Sequence, residues 1–479
     1  MKISRLLFQS GTPKQTVLKN IFWLVVGQAA SRSMRAIVFI YAARVLGTSQ
    51  YGVFSLAMSI VPLFMLFADA GVIPALSRGI AKDVDSRARW IATGFSAKVA
   101  LLVLSLGATV VFAPYLTKIP GMRLLLLIVA LVFFLDGIRD FGFWVVRALD
   151  ETQWEAIVSV AGSTATVIAA FLFLSIANTP AHLALACLVG SAVGSFSILV
   201  PLRGFLVGLT RNLDVSLARL MLRTAWPYVI WATLGSLFLY ADSIMLGFLR
   251  DARTVGIYNA ASKPIQVFLA LPELLAAGAF PTFARRAAQG DFLTPLSKSF
   301  SAMMLAALPL TFGGVVLARP IITMLYGSPY QESTLVFQIL LLLILLQFPA
   351  SIIGYAILAH DRHFEMIRPI AVGTGANLVL NWLLIPPYGA VGSAVAILLA
   401  RAMIVGGVFT LLRKIQPVPV LGLLWRGLFA TLVMVIGVGI TAHAGVTLWV
   451  SVVLGAVSYL LALRLLREPL LREVGEVLR

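Results

Sequence analysis

The chain has 479 residues, of which 60% are hydrophobic and 12% charged, with a formal net charge of +18. Its mean hydropathy is +0.98, far from a soluble domain of about 45–50% apolar and about 25% charged residues. These values exclude a water-soluble globular enzyme. Without a long basic segment or an aromatic-rich RNA-binding signature, they also exclude a nucleic-acid partner.

The first twenty residues are polar and basic, with no short apolar core ending at a small-residue site, so no cleavable signal peptide is expected. Apolar runs of about 18 residues or more then recur to the end of the chain. Spans are expected at 18–45, 50–74, 89–114, 122–146, 154–177, 182–204, 223–248, 254–280, 296–317, 335–358, 366–386, 391–412, 425–441 and 447–464. The fold class is therefore all-α integral membrane, with about fourteen transmembrane helices and both termini on one side. With the N-terminus inside, 25 of the 37 lysines and arginines fall in inside segments and 6 in outside loops. The positive-inside rule then places both termini in the cytoplasm of a cell inner membrane, where the basic segments face anionic membrane lipids.

An internal repeat organises the spans. Tyr51-Gly52-Val53-Phe54, opening the second, echoes Val255-Gly256-Ile257-Tyr258, opening the eighth, and Val189-Gly190-Ser191-Ala192-Val193 recurs as Val391-Gly392-Ser393-Ala394-Val395. Trp154-Glu155 and Phe364-Glu365 match more weakly. Each pair links span n to span n+6, so two parallel six-helix repeats are expected, a plan used by secondary transporters. The expected divisions are an N-lobe at 1–204, an amphipathic linker at 205–222, a C-lobe at 223–412, and two extra helices with a tail at 413–479.

Charges at membrane depth cost roughly 2.5–3.5 kcal/mol each on insertion scales and need a reason. Gln28, Arg32 and Arg35 are spaced i, i+4, i+7 on one face of the first span, about 12–22 Å from its inner end. They read as an anion site or as partners of acidic residues on a neighbouring helix. Lys98, Lys263 and Arg401 lie about 13–15 Å into spans three, eight and twelve and are further substrate-binding candidates. Snorkelling is the alternative for Lys98. Lys263 precedes Pro264, and Pro272 follows in the same span; helix-breaking prolines at membrane depth are tolerated where the freed backbone groups find partners or water. Asp136, Arg139 and Asp140 on span four either neutralise one another or supply a carboxylate that couples transport to H+ or Na+. Asp242 and Asp69 lie near span ends, where a carboxylate is cheaper to solvate, and Glu273 is expected to be solvated. Asn377 and Asn381 share a face of span eleven, fitted either to sugar hydroxyls or to interhelical hydrogen bonds. Trp23, Trp144 and Trp382 read as interface anchors or packing. The four histidines and the single cysteine, Cys187, make no metal-ligand pattern. No phosphate-binding glycine loop or catalytic triad stands out, so neither a cofactor nor enzyme activity is expected.

Four segments together resemble the oligosaccharide flippase (Wzx-type polysaccharide transporter) family of the multidrug/oligosaccharidyl-lipid/polysaccharide exporter superfamily. They are Val45-Leu46-Gly47 through Phe54; Asp69-Ala70-Gly71 with Ser77-Arg78-Gly79-Ile80-Ala81-Lys82; Ala241-Asp242-Ser243-Ile244-Met245-Leu246-Gly247; and Asn377 through Pro386 with Tyr388-Gly389-Ala390-Val391-Gly392. The resemblance covers about residues 18–412. It implies two six-helix lobes around a central cavity, and turnover of polyprenyl-pyrophosphate-linked oligosaccharide by alternating access, alongside polysaccharide polymerase machinery. It also suggests gating or lobe-contact roles for Asp69 and Asp242. The usual pattern has about twelve spans, so the last two are a departure. An ion-coupled multidrug exporter of the same superfamily is the alternative, but cationic substrates would want an acidic or aromatic cavity. A membrane glycosyltransferase or polymerase fits less well, because the longest outside loop, about 318–334, is short.

Overall fold

The computed structural model describes residues 13–69, 76, 86–117, 119, 121–207, 212–269, 271–289, 292–415 and 420–470. Among them there is no strand. The first helix, α1 (Pro13–Met65), contains Gly47 at φ 71°. The rings of Phe39 and Phe54 stand 6.1 Å apart, whereas fifteen residues of straight helix would separate them by about 22 Å. The chain therefore doubles back at Gly47, and α1 is a hairpin of two spans whose apex takes a backbone angle that L side chains resist.

There follow α2 (Arg87–Phe112), α3 (Met122–Ala148), α4 (Thr152–Ile176), α5 (Pro180–Leu206), α6 (Val215–Leu249), α7 (Ala252–Leu269), α8 (Leu271–Gln289), α9 (Leu293–Val316), α10 (Ala318–Tyr326), α11 (Ser333–Leu358), α12 (Ile367–Ile415), α13 (Val420–His443) and α14 (Leu448–Leu465). Helix α12 is a second hairpin. Gly389 at its apex has φ 55° and follows Pro386 and Pro387. Ser393 Oγ beyond the turn reaches Asn381 Oδ1 before it, at 2.8 Å. Eleven stretches are long and apolar enough to cross a membrane. Two of them are the hairpins, and α3 adds a helix of spanning length with charges at its centre, so the fourteen expected crossings are present.

One detail departs from the expected spans. The expected loop at 318–334 contains α10, which buries Ala318, Ile322 and Tyr326 along one face, and a 3-10 turn at Ser328–Tyr330.

Contacts divide the chain into Met1–Gly256 and Ile257–Arg479, later than the expected break at 205–222. The reason lies in how α6 begins. Asp214 caps it, accepting from the N–H groups of Ser216 (2.8 Å) and Leu217 (3.1 Å). Arg89 of α2 pairs with Asp214, and the Asp214 N–H donates to Thr93 Oγ1 at 3.1 Å. Met221 enters a core with Ile91, Phe141, Val158 and Ile198. At the far end of this unit the two copies of the repeated motif meet. A Cβ on Gly52 would lie 1.7 Å from the Ala252 carbonyl oxygen, and one on Gly256 would lie 1.9 Å from that of Thr48. Only glycines permit this backbone contact, and it holds the start of α7 against the α1 hairpin.

In the second unit α13 and α14 cover α9 through Ala430, Met434, Val438, Tyr459 and Leu463. The Tyr459 hydroxyl donates to the Leu305 carbonyl at 2.8 Å. Segments 70–75, 77–85, 208–211 and 471–479, including the Ser77–Lys82 motif and part of the expected linker and tail, lie outside the described residues.

Candidate functional site

Helices α1, α3, α4 and α5 of the first unit enclose a cavity of about 510 Å³. Span α3 contributes Phe133, Asp136, Arg139, Asp140, Phe143, Trp144 and Arg147, one broad stripe of a helix seen at steps of three and four residues. Gln28, Arg35, Phe39 and Met58 come from the α1 hairpin, Ser159, Ser163 and Thr166 from α4, and Cys187 and Ser191 from α5.

The charges of α3 are arranged as a fork. Arg139 Nη1 stands 2.6 Å from Asp136 Oδ1, and Nη2 stands 2.9 Å from Asp140 Oδ1. Arg139 Nε also donates to Asp140 Oδ1 at 3.2 Å. The mutual neutralisation read from the i, i+3, i+4 spacing is present. The Asp136 contact is a charge pair out of hydrogen-bonding alignment, since Asp136 Oδ1 is buried and accepts no hydrogen bond. Toward the α3–α4 turn, Arg147 grips Glu155 with two bonds of 2.6 Å. The Glu155 side chain is 1% exposed and also accepts from Gln28 Nε2 at 3.1 Å. Asn20 closes the same end, donating to Asp150 at 3.2 Å and accepting from Thr152 Oγ1 at 2.9 Å.

Arg35 lines the cavity with these groups and lies within electrostatic reach of Asp136, Arg139 and Asp140. Among the described residues it makes no hydrogen bond and no ion pair. Arg32 is exposed and lies off the lining, within electrostatic reach of Arg35. Gln28 borders the cavity, but its amide nitrogen is taken by Glu155.

The other expected site residues sit elsewhere. Lys98 is 1% exposed within α2 and does not snorkel. Asp242 is 1% exposed on α6. In the second unit Asn377 and Asn381 are fully buried. Asn381 Nδ2 donates to the Asn377 carbonyl (2.9 Å) and side-chain oxygen (3.1 Å), and its own oxygen accepts from Ser393. Of the two alternatives stated for them, hydrogen bonding between helical arms is present at Asn381, through Ser393. Lys263 is partly buried on α7, and Arg401 is partly buried on α12 within electrostatic reach of Glu273. Glu273 is exposed as expected, yet partnered: Gln347 Nε2 (2.9 Å) and Ser351 Oγ (2.6 Å) donate to it. No group of three or more potential metal ligands occurs among the described residues.

Three participants are not marked as site residues by the sequence: Arg147 falls among the 25 inside positive charges, Glu155 enters only as a repeat echo, and Trp144 reads as an interface anchor or packing. Trp144 is a cavity wall, with the Arg147 guanidinium 5.0 Å from its ring. The signal available was a basic and an acidic residue flanking the short turn between two spans.

With this geometry in hand, the chain can be compared with known proteins. The sequence profile of the family described as polysaccharide biosynthesis protein matches residues 17–286. A protein of Escherichia coli (strain K12) named for O-antigen transport is 21% identical over 407 residues, covering 82% of this chain and 96% of that one. A protein of Haloferax volcanii named as a low-salt glycan biosynthesis flippase, Agl15, is 23% identical over 369 residues, 76% of each chain. The solved structure of a lipid II flippase, MurJ, in an inward closed conformation superposes with a TM-score of 0.72 at 13% identity, over 93% of this chain and 100% of that chain. That last likeness establishes a shared fold.

Proposed function

The chain belongs to the polysaccharide biosynthesis protein family, and on that premise we propose that it is a flippase for lipid-linked (polyprenyl-pyrophosphate) oligosaccharide in the cell inner membrane. The observation that carries this reading is the cavity at membrane depth, where Arg35 presents a guanidinium with no partner among the described residues. A cation so placed is costly unless it meets an anion, and a guanidinium binds phosphate or carboxylate oxygens in a forked, charge-assisted way. The substrate is an anion with a polar saccharide, and the polar stripe of α3 facing α4 offers it carboxylates and hydroxyls. The lipid stays in the bilayer while the saccharide crosses by alternating access, with both chain termini in the cytoplasm. The protein makes and breaks no covalent bond in this scheme, so it is not an enzyme, and the surface glycan is completed by separate polymerase machinery.

Coupling is assigned to Asp136, whose buried oxygen has no hydrogen bond, with H+ or Na+ as the driving ion. The test is flipping of a labelled lipid-linked oligosaccharide by the purified protein in liposomes under an imposed pH or Na+ gradient. Gradient-driven flipping is expected, with Asp136→Asn abolishing the gradient dependence while substrate still binds. Efflux of organic cations without any flipping would replace this reading with that of a multidrug exporter.

A further inference from the structure

The charges around the cavity are not equally available. Arg139 is committed to Asp136 and Asp140, and Arg147 is committed to Glu155 by two bonds of 2.6 Å. Arg35 is the guanidinium on the lining that has no such partner among the described residues. A ligand entering here therefore finds one open cationic fork beside the Asp136–Arg139–Asp140 cluster, whose formal charges sum to one negative. A diphosphate, with at least two negative charges, would gain one guanidinium and leave at least one charge uncompensated. A neutral sugar would leave the guanidinium desolvated and unpaired, which is unfavourable. A group with one negative charge, flat and two-oxygened, matches a single fork.

The rest of the lining is suited to a sugar ring. Trp144, Phe143 and Phe133 are aromatic residues of the lining, the kind of side chain against which the C–H face of a pyranose can lie. Arg139 approaches Asp140 through Oδ1 alone, leaving Oδ2 to accept from a ring hydroxyl. Ser159 and Thr166 add hydroxyls on the opposite wall. At about 510 Å³ the cavity falls within the range of roughly 300–1,000 Å³ typical of small-molecule sites. It suits a short stretch of saccharide and not a whole lipid-linked repeat unit.

We propose that this cavity is a sugar subsite for a residue bearing one carboxylate, of the hexuronate class, with Arg35 as the carboxylate's partner and the pyrophosphate bound elsewhere. The proposal rests on the flippase reading and gives it a substrate class. It is tested with the full chain in lipid nanodiscs by calorimetric titration. The probes are a glucuronate-terminated disaccharide, the matched glucose-terminated disaccharide and inorganic pyrophosphate. The glucuronate probe should bind at least tenfold more tightly than the neutral one. That gap should vanish in Arg35→Ala and survive in part in Arg35→Lys, both variants matching the wild type in melting temperature. Equal affinity for the two disaccharides overturns the proposal, as does a gap that persists in Arg35→Ala. Arg35-dependent binding of pyrophosphate without a glucuronate preference overturns it in favour of a diphosphate site. Liposome flipping separates this outcome from failure of the flippase reading: equal flipping of uronate-bearing and neutral glycans sinks the subsite alone, and absence of flipping for both sinks the transporter.

Discussion

The same five residues, Val-Gly-Ser-Ala-Val, occur at 189–193 and at 391–395, yet the two units use them differently. In the first unit Ser191 lines a cavity with Asp136, Arg139 and Arg35. In the second, Ser393 is fully buried and bonded to Asn381, fastening the two arms of the α12 hairpin. The partner helix decides the outcome. Opposite Ser191 stands α3, with charges that keep a polar space open; Ser393 meets an asparagine that fills the space with neutral hydrogen bonds. A duplicated framework can thus carry a site in one copy and a packing lock in the other without any change in the repeated segment itself.

Breaking the charged network should cost most. Arg147→Ala strands Glu155, whose side chain is 1% exposed, and loss of one partner of a buried pair costs about 3–5 kcal/mol. A large fall in melting temperature in detergent is expected, and a shift no greater than that of surface variants would show that Glu155 finds another partner or a proton. Next comes Arg35→Ala, which should fold normally but slow flipping by about 10–100-fold, the worth of one or two charge-assisted hydrogen bonds. Full activity at native expression would detach the cavity from transport. In the second unit Asn381→Ala should cost about 0.6–1.7 kcal/mol, the range for a buried polar contact between membrane helices. Flipping per folded molecule should be unchanged there, and a specific loss of flipping would make the second unit a site as well. The smallest effect is expected for Arg32→Ala: because Arg32 is exposed and off the lining, flipping should fall by less than about threefold, within what a surface charge contributes. An effect equal to that of Arg35→Ala would restore the two arginines to one site.

Much of the candidate site was legible one helix at a time. The spacing of Asp136, Arg139 and Asp140 foretold their pairing because contacts at i+3 and i+4 belong to a single helix. Arg32 and Arg35 defeated the same logic. A face on a helical projection is broad, and which edge of it meets the cavity depends on how α1 is rotated against α3 and α4. Arg147 was misread because a basic residue at a span end is the ordinary topology signal, and nothing in the linear order shows that Glu155 folds back beneath it. Trp144 resembled an interface anchor for the same reason. For Asn377 and Asn381 the sequence leaves both outcomes open, and the structure shows Asn381 bonded across the hairpin to Ser393.

The sequence by itself determined the all-helical membrane class, the number of crossings, the reversals at Gly47 and near Gly389, and the six-span repeat. These depend on apolar length, on glycine and proline, and on internal likeness, all of which are properties of the chain in order. The tertiary structure alone decided that α6 belongs with the first unit, that Arg139 and Arg147 are already held by carboxylates, and that Arg35 lines the cavity. Those facts depend on helix rotation and on partners far apart in the chain, 127 residues for Gln28 and Glu155. Such partners are selected by packing between helices, which no local pattern of residues specifies.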